Sequence, residues 1–167
     1  KYSFLKNYKV NLSMKFLYLF IIIIPIFLSC QETKETKKYN VSMSDSEWKS
    51  ILPRLSYNIL RKSYTEQAFS SNLNFNKKSG YYACMGCKNP LYSSENKYDS
   101  GSGWPSFDRE IRNTIEYDVD YKIGYPRTEL KCSNCGGHLG HMFNDGPRET
   151  TGKRHCINGA ALIFIEK

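Results

Sequence analysis

Three textures divide the chain. Residues 16–28, FLYLFIIIIPIFL, form an uncharged apolar run, and residues 31–40, QETKETKKYN, are polar, charged and aperiodic. From Tyr81 onward Tyr, Ile, Val, Thr and Phe recur between turn residues, a texture that favours strands. Between the polar segment and the strands, SDSEWKSILP predicts a helix. Ser44 or Asp45 supplies the N-cap, Trp48, Ile51 and Leu52 share an apolar face, and Pro53 is the stop. A second short amphipathic piece, YNILRKSY, follows. TIEYDVDYKIGYPRTEL alternates apolar and polar positions over two strands with a turn near Gly124 to Pro126, and GAALIFIEK predicts a half-buried final strand. The expected fold is mainly β: a small antiparallel domain of two packed sheets, with short N-terminal helices.

A chain of 167 residues suits one domain with a core of its own. The apolar run follows Met14-Lys15 and ends in Ser29-Cys30, as a secretion signal does. A membrane span is the alternative, but 13 helical residues reach roughly 20 Å, short of a hydrocarbon core of about 30 Å. FLSC has the form of a bacterial lipobox, which would make Cys30 the lipidated N-terminus of the mature chain. The expected organisation is an upstream extension at 1–13, a lipoprotein signal at 14–29, a flexible tether at 30–43 and the folded domain at 44–167.

Charge changes little in this picture. Of the formal +8, four charges belong to Lys1, Lys6, Lys9 and Lys15 and no acidic residue precedes Glu32, so residues 30–167 carry +4. With no block of like charge and no basic-aromatic interleaving, nothing points to nucleic acid.

The six cysteines carry the chemistry. Cys84 and Cys87 in CMGC and Cys132 and Cys135 in CSNC form two matching pairs. In an exported chain two disulfides are one reading. Two CxxC turns, each followed by turn-forming residues, fit better a tetrahedral zinc ion with Zn–S distances of about 2.3 Å. One Zn²⁺ per chain is expected, and a four-cysteine site is closed to water, so its role is structural. A thioredoxin-like dithiol is a further alternative, but neither pair has βαβ patterning around it.

Cys156 has no partner nearby in sequence. A lone cysteine is most often a small buried hydrophobe. Here, however, Arg154 and Asn158 share its strand face, and a nearby positive charge lowers a thiol pKa toward reactivity. His138 and His141 follow the second CxxC turn directly, and one of them is a candidate proton donor oriented by a carboxylate such as Asp145. His155 falls on the opposite strand face and is expected to be a satisfied structural residue.

KYDSGSGWPSF, CGGHLGHMFNDGP and GKRHCINGAAL, together with CMGC, resemble the B-type methionine sulfoxide reductases, which reduce the R epimer of methionine S-oxide. The resemblance runs from about Ser44 to Phe164. It implies that Cys156 is the nucleophile, passing through a sulfenic acid, and that His138 and His141 lie in the active site, with His141 the acid toward the sulfoxide oxygen. By the same resemblance Asp145, Arg154 and Asn158 surround them, Trp104 and Phe143 form the apolar wall for the substrate methyl group, and Cys84, Cys87, Cys132 and Cys135 hold zinc. Many relatives carry a resolving cysteine before Gly-Trp-Pro-Ser, where this chain has Ser102. Reduction of the sulfenic acid by an external thiol, from a thioredoxin-like protein or a small molecule, is therefore expected. The remaining expectations are a monomer, lipid-anchored to a bacterial membrane in the cell envelope, repairing oxidised methionine in exported proteins.

Overall fold

Ser44 opens the first helix, α1 (Asp45–Ile51), through a reciprocal capping box: its hydroxyl accepts from the Glu47 N–H, and the Glu47 carboxylate accepts from the Ser44 N–H. The computed structural model to which this helix belongs describes residues 37–167. The upstream extension, the signal, Cys30 and the first half of the tether lie outside the described residues. Trp48 and Leu52 enter the core as the apolar pattern predicts, but Ile51 is 54 % exposed. The helix ends at Ile51, and the extended backbone of Leu52 turns that side chain inward without its neighbour. The second helix, α2 (Arg54–Lys62), starts directly after Pro53 and buries Tyr57, Ile59 and Leu60. Asp45 ties the two helices together by accepting from Tyr57 Oη at 2.7 Å and from Lys62 Nζ at 2.9 Å.

Apart from three short 3-10 turns, at Asn72–Asn74, Ser94–Asn96 and Gly159–Ala161, the remaining described elements are strands, all paired antiparallel. β1 (Gly80–Cys84) lies between β2 (Pro90–Ser93) and the final strand, β9 (Leu162–Glu166), in a three-stranded sheet. The second sheet has six strands: β3 (Lys97–Tyr98), β4 (Ser106–Phe107), β5 (Ile115–Asp120), β6 (Arg127–Cys132), β7 (His138–Phe143) and β8 (Arg154–Ile157), in the order β3-β4-β8-β7-β6-β5. The β5–β6 hairpin turns around Gly124, where the alternating pattern places it. The sheets meet through aromatic rings. Phe107 stacks on Tyr92 at 4.2 Å between centroids and meets Tyr82 edge-on at 5.0 Å, all three fully buried. Residues 38–167 form one unit, and the expectation of a small two-sheet β domain with short N-terminal helices holds.

One consequence of the register positions the site. Tyr98, Ser106, Cys156, His141, Glu129 and Asp118 follow one another as cross-strand partners from β3 to β5, so their side chains share one face of the larger sheet. At Gly140 a Cβ would stand 2.0 Å from the Cys156 carbonyl oxygen, so only glycine lets β7 approach β8 this closely.

Candidate active site

Two turns of the same design bring the paired cysteines together. After Cys84, the Lys88 N–H bonds the Cys84 carbonyl and the Cys84 N–H bonds Asn89 O. After Cys132, the Gly136 N–H bonds the Cys132 carbonyl and the Cys132 N–H bonds Gly137 O. Each turn places a residue in the left-handed region just past its second cysteine, Lys88 at φ 62° and Gly136 at φ 69°. The position after Cys135 requires glycine because a Cβ there would strike the Tyr39 ring at 2.3 Å. The four sulfurs lie within 4.8 Å of one another, with Cys84–Cys135 at 3.8 Å and Cys87–Cys132 at 3.5 Å. A tetrahedron of thiolates around a metal about 2.3 Å away has edges of about 3.8 Å, so the donor set fits such an ion. Hydrogen bonds among the thiols hold Cys87 and Cys132 below the ordinary thiol range and push Cys84 and Cys135 above it. Without a cation the cluster can ionise only in part. Helix α2 backs the knot: the Arg61 guanidinium donates to Cys135 O, and Leu60 packs on Gly86 and Gly137. The four-cysteine site thus joins the turn after β1 to the turn before β7, one from each sheet.

On the shared face of the larger sheet, Cys156, His141, Asn158, Trp104 and Phe143 line one cavity of about 150 Å³, with Thr65, Arg127 and Gly140 completing it. Its size suits the end of a single side chain rather than a larger ligand. Trp104 is fixed by its indole N–H, which donates to Glu66 O at 3.2 Å. Phe143 carries the Arg154 guanidinium 4.4 Å above its ring centroid, and Arg154 is held there by two hydrogen bonds of 2.9 Å to the Asp145 carboxylate.

His141 faces Cys156 as its direct cross-strand partner. Its Nε2 lies 2.9 Å from the Asp120 carboxylate. Asp120 is held down to about 2 by the Lys122 N–H and further by His141 and Arg127, so it accepts and Nε2 carries the proton. Burial pushes His141 below the ordinary imidazole value, and the Arg127 charge adds to this, outweighing Asp120. The resting ring is therefore neutral, with an unprotonated Nδ1.

The thiol is not in the state the sequence predicts. Arg154 and the Ser102 hydroxyl pull the Cys156 pKa down, but burial outweighs them and leaves it raised. A thiol beside a neutral imidazole is the resting pair.

Other expectations are redistributed. Asp145 does not orient a histidine: it lies beyond the end of β7 beside Arg154, while the histidines pair with carboxylates of β6 and β5. His141 takes Asp120, and His138 takes Glu129 through Nδ1. The His138 ring is 5.3 Å from that of His141, but it lines an adjoining cavity of about 630 Å³ rather than the one at Cys156. Asn158 is buried, accepting from the Glu66 N–H and donating to Leu139 O, which fixes its amide at the edge of the cavity. His155, as expected, is buried on the opposite face, 3.2 Å from Tyr92 Oη.

Sequence reasoning missed Glu66, Asp120, Arg127 and Glu129. Glu66 is 4 % exposed, and its carboxylate accepts from the Gly159 and Ala160 N–H groups. Together with its backbone bonds to Asn158 and Trp104, it braces two sides of the cavity. Asp120 and Arg127 are a cross-strand pair closing the β5–β6 hairpin, and the alternating pattern that located the hairpin could have flagged them.

Comparison with known sequences decides the family, because the SelR domain profile matches residues 52–166. The chain belongs to the SelR family, the MsrB-type methionine sulfoxide reductases. It is 50 % identical over 127 residues to a peptide methionine sulfoxide reductase MsrB of Leptospira interrogans, covering 75 % of this chain and 96 % of that one. A Methanosarcina mazei protein of the same name is 44 % identical over 128 residues, covering 76 % of this chain and 91 % of the relative. The mouse mitochondrial methionine-R-sulfoxide reductase B3 is 45 % identical over 137 residues, 81 % of this chain and 53 % of the mouse protein. This MsrB-type chain is accordingly an oxidoreductase, and the clustered cysteines are compatible with the structural metal site of its family.

Proposed function

We propose that the enzyme reduces methionine (R)-S-oxide, free or within proteins, with Cys156 as nucleophile. The observation that carries this reading is the opposition of Cys156 and His141 in a cavity walled by Trp104 and Phe143. Neutral His141 takes the Cys156 proton as the sulfoxide settles, and the resulting imidazolium is stabilised by Asp120. The thiolate attacks the sulfoxide sulfur. His141 returns the proton to the sulfoxide oxygen, which transfers to the cysteine sulfur as the sulfur–oxygen bond of the substrate breaks, leaving a sulfenic acid and the thioether. Two electrons have then moved from Cys156 to the substrate. An external thiol condenses with the sulfenic acid, releasing water, and a second thiol reduces the mixed disulfide back to Cys156.

Selection of one epimer follows from a two-sided cavity: the S-methyl lies against Trp104 and Phe143, and the S–O dipole is directed to the side of His141. Zinc is the ion proposed for Cys84, Cys87, Cys132 and Cys135, where it would act as a structural crosslink. We also assign the chain to the cell envelope as a lipoprotein anchored through Cys30, with oxidised exported proteins as its substrates; the signal-like run and lipobox support this.

The test is stereospecific turnover with resolved epimers. The R-sulfoxide is consumed, the S-sulfoxide is not, and Cys156→Ser abolishes activity with the bound metal unchanged. Equal consumption of both epimers, or activity in Cys156→Ser, overturns the reading.

A further inference from the structure

Behind Cys156, on the side away from His141, stand three serines. The Ser102 hydroxyl lies 4.0 Å from the Cys156 sulfur, Ser100 Oγ lies 2.8 Å from Ser102 Oγ, and Ser106 Oγ lies 2.7 Å from Ser100 Oγ. The line ends where Ser106 reaches the Trp104 carbonyl at 3.1 Å. Ser106 is 1 % exposed and is the β4 partner of Cys156, while the Ser102 N–H bonds Ser100 Oγ and fixes the middle of the line.

Counting protons gives this line a property that no single serine has. With Cys156 as a thiol, the S–H and three O–H groups supply four protons for four links, all running from sulfur to the Trp104 carbonyl. With Cys156 as a thiolate, three protons remain. If every hydroxyl turns round, Ser106 donates to Ser100, Ser100 to Ser102, and Ser102 to the sulfur. The Trp104 carbonyl gives up its neutral bond and the anion gains a charge-assisted one, which is the stronger of the two.

We propose that Ser102, Ser100 and Ser106 form a reversible hydroxyl chain that stabilises the thiolate of Cys156, with Ser102 next to the sulfur and the other two acting as positioning residues. The proposal rests on the functional reading above. The departing proton goes to His141, and the chain loses none of its own. A chain of this kind gives position 102 a task when it holds no thiol: the serine tunes the nucleophile by hydrogen bonding rather than resolving it by a disulfide.

Other charged or titratable groups also face the sulfur or its partners: Arg154 on the same strand, Asp145 through Arg154, His141 from β7 and Tyr98 from β3. None is altered by changes at Ser100, the link that contacts only other serines. The test is the rate of Cys156 alkylation by iodoacetamide against pH in the metal-loaded protein, followed by mass spectrometry of the peptide that holds Cys156. Ser100→Ala should raise the titration midpoint and slow alkylation below it by about three- to tenfold, the worth of one neutral hydrogen bond in the line that backs Ser102. Ser100→Thr, which keeps the hydroxyl, should restore the wild-type profile, and Ser106→Ala should shift it in the same direction as Ser100→Ala. A Ser100→Ala profile that superimposes on wild type, or a shift that Ser100→Thr leaves uncorrected, overturns the chain. Turnover of the R-sulfoxide by wild type is recorded separately. Its absence would sink the enzymatic reading, while the alkylation profiles would still judge the chain.

Discussion

His141 and Cys156 are direct cross-strand partners on β7 and β8 that line one cavity, and the His141 ring is itself held by Asp120. On the proposed mechanism, removing this ring removes both the acceptor for the thiol proton and the donor to the sulfoxide oxygen. His141→Ala should lower kcat by about 10²- to 10⁴-fold, the usual share of a general acid-base group, with a smaller effect on KM. Steady-state kinetics with the R-sulfoxide check this. A kcat within a fewfold of wild type would reassign the proton transfer.

Arg154 contributes the positive charge nearest in chain to the thiol. Its removal should push the Cys156 pKa further above its already raised position, because only the ionised form is stabilised by that charge. Arg154→Met, which keeps part of the packing on Phe143, should therefore react more slowly with iodoacetamide at neutral pH and regain the rate at higher pH. An unchanged profile would show that the charge is screened from the sulfur.

Asp120 links the site to stability in acid. Its folded pKa of about 2 lies below the ordinary 3.8, so it stabilises the fold above about pH 4, and that contribution is lost as the pH falls toward 2. Asp120→Asn should unfold at lower temperature than wild type at pH 6, with the gap narrowing between about pH 4 and pH 2. Thermal melts across this range are the measurement.

Ser102 stands close enough to the sulfur of Cys156 for a change of residue to rewrite the oxidised state. Ser102→Cys should form an intramolecular disulfide after one equivalent of methionine sulfoxide, losing two thiols, whereas wild type should keep a sulfenic acid that a dimedone probe labels. Thiol counting under denaturation separates the two outcomes.

The four-cysteine knot joins the two sheets, and its loss should cost the fold rather than the chemistry. Chelation or Cys135→Ser should release the metal, about one equivalent per chain, and abolish the cooperative melt, consistent with the order of 10 kcal/mol that such sites contribute to folding. Retention of a sharp thermal transition after complete metal removal would show that the sheets hold without it.

The local patterns of the sequence translated directly into structure. The N-cap at Ser44 or Asp45, the alternation over residues 114–130 and the duplicated CxxC are short-range signals, and each marks an element that is present. The partners of the site were not legible in the same way. Asp145 is four residues from His141 in sequence, but four residues of strand span about 13 Å, and it ends beside Arg154 instead. Asp120 reaches His141 only because β5, β6 and β7 are neighbours in one sheet, and Glu66 meets Gly159 across 93 residues of chain. The charge of Cys156 failed for a related reason: the sequence displays Arg154, but burial arises from the whole fold and outweighs it.

Gly140 carries a last consequence. With β8 pressed against it so closely that a methyl group would not fit, the peptide backbone beneath the reactive sulfur has no room to retreat. On the proposed mechanism, oxygen added to that sulfur would be taken up by torsion about the cysteine's own Cα–Cβ bond, so a docking reductant would repair a swivel rather than a refolded strand.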